Sequence, residues 1–161
     1  MPQNFVPFLK ENARTEMIAV LNERLADTID LGNAVKQAHW NLKGTGFIGV
    51  HELLDEVAGH LREGADLMAE RVAMMGGLAQ GTSQTVAEKS TLAAYPTEIV
   101  ALQDHVEALV TRFNSYTVKL REGIAAAEEA GDEDTADLFT EVSRIAEKDA
   151  WFIGSNSAKA A

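Results

Sequence analysis

Four side chains able to bind a metal ion, His51, Asp55, Asp66 and Glu70, lie within one stretch of helix-forming residues, 47–76. At about 100° per residue, positions 55, 66 and 70 fall roughly 40°, 60° and 100° round from 51, so all four share one stripe. Along the axis the stripe splits into two pairs, because the step from 55 to 66 spans about 16 Å at 1.5 Å per residue. One ion does not reach across that gap. The positions are nevertheless mirrored: 51 and 70 share a midpoint with 55 and 66. An antiparallel copy of this helix across a two-fold axis sets His51 and Asp55 opposite the other copy's acids, and two half-sites complete each other, as a closed dimer allows. A histidine and a carboxylate at i,i+4 also occur as a simple solvated ion pair; the mirrored stripe favours a metal site between subunits.

A further histidine strengthens that reading. His39 stands in Gln37-Ala38-His39-Trp40-Asn41, near the end of the preceding helix, and a short link turns the chain back so that His39 approaches His51. His39, His51 and Asp55 from one chain, with Asp66 and Glu70 from another, offer two imidazoles and three carboxylates, a set suited to non-haem iron. Bundles that bind metal internally use Glu-x-x-His pairs. Here the residues three before the four histidines are Lys36, Ile48, Val57 and Leu102, none of them glutamate. The absence of cysteine excludes thiolate ligands, disulfides and cysteine nucleophiles. His60 and His105 read as surface or packing residues. Trp40 and Trp151 read as core or interface anchors, although Trp40 follows a proposed ligand and is placed to quench radicals from iron–peroxide chemistry. Met68, Met74 and Met75 read as core filler.

The elements that must hold this stripe are long helices. The 161 residues suit one domain, and proline occurs only at 2, 7 and 96. Apolar residues at helical spacing predict a first helix over 14–42, with Gly44 as its C-terminal cap. A second spans about 47–75, with Val50, Leu54, Val57, Leu61, Met68 and Val72 on its apolar stripe. Residues 77–95 are small and polar and read as a crossover carrying a short helix near Val86–Lys89. A third long helix is expected after Tyr95-Pro96, with Thr97 as N-cap, to about Ala130. A fourth follows over about 134–156. The prediction is an all-α, ferritin-like four-helix bundle over 14–157, with a short N-terminal tail at 1–13 and a C-terminal tail at 158–161.

The formal charge of -11 opposes non-specific DNA binding, which rests on Lys and Arg neutralising phosphate, and favours cation accumulation. With no signal-peptide or transmembrane pattern visible, a cytoplasmic protein is expected. In Gly131-Asp132-Glu133-Asp134-Thr135-Ala136-Asp137, acids begin the last helix, where they complement its dipole and Asp134 is a candidate cap.

The segments Gln37–Gly44, Phe47–Asp55 and Met68–Arg71, with Tyr95-Pro96, Asp134–Asp137 and Trp151-Phe152-Ile153, resemble the Dps family (DNA protection during starvation) over about residues 15–156. The resemblance implies a twelve-subunit shell with ferroxidase sites at two-fold interfaces. It implies His39, His51 and Asp55 as ligands from one subunit, with Asp66 and Glu70 from its mate. It further implies oxidation of Fe(II), with hydrogen peroxide as the expected oxidant, storage of ferric mineral and protection of the cell and its DNA. Asp134 and Asp137 resemble an acidic iron-entry pore, and Glu52 or Glu56 would help to nucleate mineral. Members that condense DNA often use lysine-rich tails; here residues 1–13 hold only Lys10, and the C-terminal tail only Lys159. Direct DNA binding is therefore not expected. The alternatives are a nucleoid-packaging protein with an incidental metal site, a metal-buffering shell without oxidation, and an unassembled helical adaptor.

Overall fold

Between Pro7 and Pro96 no proline interrupts helical hydrogen bonding, and the chain uses that freedom for two long helices. The computed structural model describes residues 2–157, so the tail expected at 158–161 lies outside the described residues. The helices are α1 (Glu11–Asn41), α2 (Phe47–Met74), α3 (Ser83–Lys89), α4 (Leu102–Ala130) and α5 (Glu133–Gly154). Helix α1 packs against α2 and α4, and α5 against α4 and α2, which closes a ring of four long helices. Links of a few residues join α1 to α2 and α4 to α5, while residues 75–101 cross over between α2 and α4 and carry α3. This is a ferritin-like four-helix bundle.

The core is built from apolar residues of all four long helices: Leu21, Leu25 and Leu31 of α1, Leu54, Leu61 and Met68 of α2, Phe113, Tyr116 and Leu120 of α4, and Phe139 of α5 are all buried. Tyr116 enters it because its hydroxyl is within 2.7 Å of Thr28 Oγ1, which itself donates to the Arg24 carbonyl at 2.6 Å. The crossover is held by acids of α1. Asp27 accepts from the Thr91 amide at 2.6 Å and pairs with Arg24 at 3.1 Å. Asp30 accepts from Ser90 Oγ at 2.6 Å and from Arg112 at 3.0 Å. Burial raises the Asp27 carboxyl above the ordinary carboxylate range, against the opposing pull of Thr91 and Arg24.

Several expected boundaries move, each for a local reason. Helix α4 starts at Leu102 rather than beside Thr97, with Ala101 as N-cap and no side-chain cap. The preceding backbone is diverted to pair with the α1–α2 link: the Lys43 amide donates to the Val100 carbonyl and the Leu102 amide to the Lys43 carbonyl, both at 2.9 Å. Gly44 is not the cap of α1, which leaves its last turn through extended Leu42. Its φ of 138° serves the link instead, and Gly46 at φ 84° begins α2. Helix α1 begins at Glu11, and Val6 and Leu9 before it are buried in the core. The Phe5 amide donates to the Met74 carbonyl at 2.8 Å. Met74 itself is 46% exposed, whereas Met68 and Met75 fill the core. Trp40 and Trp151 lie on the surface of the chain rather than in its core.

The cap of α5 is Asp132 rather than Asp134. Asp132 is fully buried; it accepts from the Thr135 amide at 3.2 Å and from Arg71 Nη2 of α2 at 2.6 Å. Arg71 Nε also donates to Thr135 Oγ1 at 3.0 Å. One carboxylate thus starts α5 and fastens it to the end of α2. Removing one member of such a buried pair strands the other charge. Asp132→Ala is therefore expected to lower stability by about 3–5 kcal/mol, read as a shifted urea midpoint at matched protein concentration. A change below about 1 kcal/mol, the scale of a simple cap, would contradict this role.

Candidate metal centre

Helix α1 delivers His39 in its last turn and α2 delivers His51 one turn after its start, so the short link brings the two imidazoles face to face. The rings stack with centroids 3.7 Å apart and planes 17° from parallel. Phe47 extends the stack, its ring 5.0 Å from that of His51. The imidazoles also exchange hydrogen bonds with each other's backbone. His39 Nδ1 lies 2.8 Å from the His51 carbonyl oxygen, and His51 Nδ1 lies 2.9 Å from the His39 carbonyl oxygen. A carbonyl can only accept, so each Nδ1 carries the proton and donates. Each neutral ring then keeps its Nε2 lone pair free, the arrangement by which metal-binding histidines are usually oriented.

Asp55, one turn beyond His51, lies beside His39. Its Oδ1 is 3.8 Å from His39 Nε2. Two ligands each about 2.1 Å from an ion at a tetrahedral angle stand about 3.4 Å apart, so a slight turn of this side chain, 62% exposed, closes the difference. The same Oδ1 is held by Lys36 Nζ at 2.6 Å. That hydrogen bond to Lys36 is the main reason the Asp55 carboxyl sits below the ordinary carboxylate range. Lys36 also lies 5.7 Å above the Trp40 ring, leaving that indole 69% exposed. Sequence reasoning missed Lys36 as a member of the cluster. Its signal was its place three residues before His39, where in-bundle sites carry glutamate.

Asp66 and Glu70 do not join these three residues within the chain. Both are exposed farther along α2, and among the described residues no three His, Asp or Glu side chains converge closely enough to hold an ion. Asp66 instead borders an open groove of about 630 Å³ lined by Leu25, Ile29, Ala65 and Ala69. The chain by itself carries a cluster of His39, His51 and Asp55 and, separately, two acids at mirrored positions. Asp134 and Asp137 are exposed in the first turns of α5, with Asp134 3.8 Å from Arg71 Nη1. Glu52 and Glu56 are exposed on α2.

The other two histidines have definite partners. His105 is buried, with its Nδ1 2.7 Å from the Tyr95 hydroxyl, and burial lowers its pKa. His60 Nδ1 lies 3.0 Å from the buried carboxylate of Asp149 on α5. No sequence pattern paired His60 with a residue 89 positions away.

The ferritin-like domain model matches residues 18–160. The DNA protection during starvation protein of Agrobacterium fabrum (strain C58 / ATCC 33970) is 47% identical over 145 residues, covering 90% of each chain. Among solved structures, DpsA14 from Streptomyces coelicolor superposes with a TM-score of 0.92 at 32% identity, covering 99% of this chain and 96% of that one. Dps from Microbacterium arborescens, solved in a high iron form, superposes with a TM-score of 0.85 at 31% identity, covering 93% of this chain and 97% of that one. This chain belongs to the Dps family of ferritin-like proteins.

Proposed function

We propose that this protein is a ferroxidase and iron-storage shell whose catalytic sites form between subunits. The observation that carries the reading is the His39–His51 lock: two imidazoles held with free Nε2 atoms, that of His39 3.8 Å from Asp55, in a chain that keeps Asp66 and Glu70 at mirrored positions on the helix of His51 and Asp55. Ferrous iron is the substrate. Hydrogen peroxide takes one electron from each of two Fe(II) ions, its O–O bond breaks, and with two protons it leaves as two waters and two Fe(III). The chain's part is to bind and orient the ions and to favour the product charge, since anionic oxygen ligands stabilise Fe(III) more than Fe(II). Lys36 acts as a resident cation that holds Asp55 in place until iron displaces it. Trp40, adjoining His39, is placed to take up radical equivalents.

The shell is proposed as a cytoplasmic dodecamer. Asp134 and Asp137, exposed at the start of α5, would line an entry pore that concentrates Fe(II); Glu52 and Glu56 would nucleate ferric mineral. Consuming iron and peroxide together limits hydroxyl-radical formation and so protects DNA without binding it. A packaging role with an incidental metal site needs a cationic surface, which a chain of net charge -11 with one lysine in each tail does not offer.

In stopped-flow measurements on assembled protein, His51→Ala and Asp55→Asn are each expected to slow peroxide-driven Fe(II) oxidation at least tenfold, about the least that loss of a ligand's support causes; an unchanged rate in intact shells would refute the ligand assignment. Lys36→Met removes the competing ammonium and is expected to tighten Fe(II) binding by no more than about fivefold, the scale of an exposed ion pair. Weaker binding would show that Lys36 supports the site rather than occupying it. Pure protein near neutral pH is expected to leave plasmid mobility unchanged in a gel, and a salt-sensitive shift would restore the packaging alternative.

A further inference from the structure

We propose that Glu56 and His60 form a second divalent-metal site, distinct from the His39–His51–Asp55 cluster and oriented by Asp149. Four observations support it. Both Asp149 oxygens lie within 3.1 Å of His60 Nδ1, so the carboxylate fixes the ring and turns Nε2 outward. Asp149 is 2% exposed, and burial raises its carboxyl while the His60 contact opposes that rise. A buried carboxylate on one imidazole nitrogen with the other nitrogen open is the support expected behind a metal-binding histidine. Glu56, one turn earlier on α2, places Oε1 3.9 Å from His60 Nε2. Ligands of one tetrahedral ion stand about 3.4 Å apart, and the Glu56 side chain, 68% exposed, is free to close that half ångström.

The site would be two-coordinate from protein, with water completing the shell. His60 is 32% and Glu56 68% exposed, so solvent reaches the space between Nε2 and the Glu56 carboxylate. One imidazole nitrogen and one carboxylate oxygen select a transition ion such as Zn²⁺ or Fe²⁺ over Ca²⁺ or Mg²⁺. The site is separate from the first: His60 lies nine residues beyond His51, about 13 Å along the axis and roughly 180° round the helix. It also gives Glu56 a nitrogen partner that Glu52 lacks. The site would hold a discrete ion with or without iron oxidation at the first cluster.

The test uses zinc alone on the assembled protein, by anomalous scattering from soaked crystals and by equilibrium dialysis. An anomalous peak is expected about 2.1 Å from His60 Nε2, retained in His51→Ala and lost in His60→Gln. Asp149→Asn, which keeps the acceptor but not the charge, is expected to weaken zinc binding at this site 10- to 100-fold. Glu56→Gln, at an exposed position that leaves folding untouched, is expected to weaken it at least tenfold. Crystals with zinc at His39–His51 and none at His60 would overturn this inference and leave the proposed function standing. Zinc at His60 with none at His39–His51 would support this inference and count against the ferroxidase ligands. Wild-type affinity at the His60 site in Glu56→Gln would exclude Glu56 as a ligand and overturn the proposal.

Discussion

Two imidazoles that donate to each other's backbone carbonyls fix the corner between α1 and α2 on which the candidate site depends. Each of those hydrogen bonds is worth only about 1 kcal/mol net. Their larger effect is on direction, because they fix both tautomers and both ring planes and leave both Nε2 atoms unengaged, that of His39 3.8 Å from Asp55. The lock depends on where the chain turns. Helix α1 must end at Asn41 and α2 must begin at Phe47, a link made tight by positive φ at Gly44 and Gly46. Lys43 in that link pairs with Val100 and Leu102, so the start of α4 is tied to the same corner. At the opposite end Asp132 joins α2 to α5 through Arg71. The face of α2 that carries the candidate ligands is thus held at both ends by polar contacts and along its length by apolar packing.

The unfinished character of the cluster follows from the same geometry. A straight helix cannot bring Asp66 and Glu70 back to His51 within one chain; only a second helix can. The ammonium of Lys36 meanwhile offsets the charge of Asp55. In the proposed dimer, iron would replace a weak exposed ion pair with full coordination, so metal binding and subunit association would reinforce each other.

Much of this was legible in the sequence. The apolar stripes of α1 and α2 and the mirrored acids follow from helical periodicity alone, and the approach of His39 to His51 follows from the short link between their helices. The features that were not legible depend on contacts distant in sequence. Thr97 is a good cap by type, but pairing of Val100 and Leu102 with Lys43 moves the start of α4 to Leu102. Asp134 and Asp132 are equivalent as local capping signals; Arg71, 61 residues away, decides for Asp132. Lys36 looked like an absence of glutamate rather than a partner for Asp55, and His60 had no visible relation to Asp149. Periodicity tells which face a residue occupies, but not which charged group on a neighbouring helix will meet it.

The central claim is that each site draws His39, His51 and Asp55 from one subunit and Asp66 and Glu70 from another, and subunit mixing tests it most directly. One variant would lack His39 and His51, the other Asp66 and Glu70, and each alone would form an inactive shell. When the two are unfolded together and reassembled, random pairing completes about one quarter of the sites, because half of the dimers are mixed and each has one full site. The account predicts recovery of peroxide-driven Fe(II) oxidation to about that fraction. Co-assembled shells with no recovered activity would contradict it.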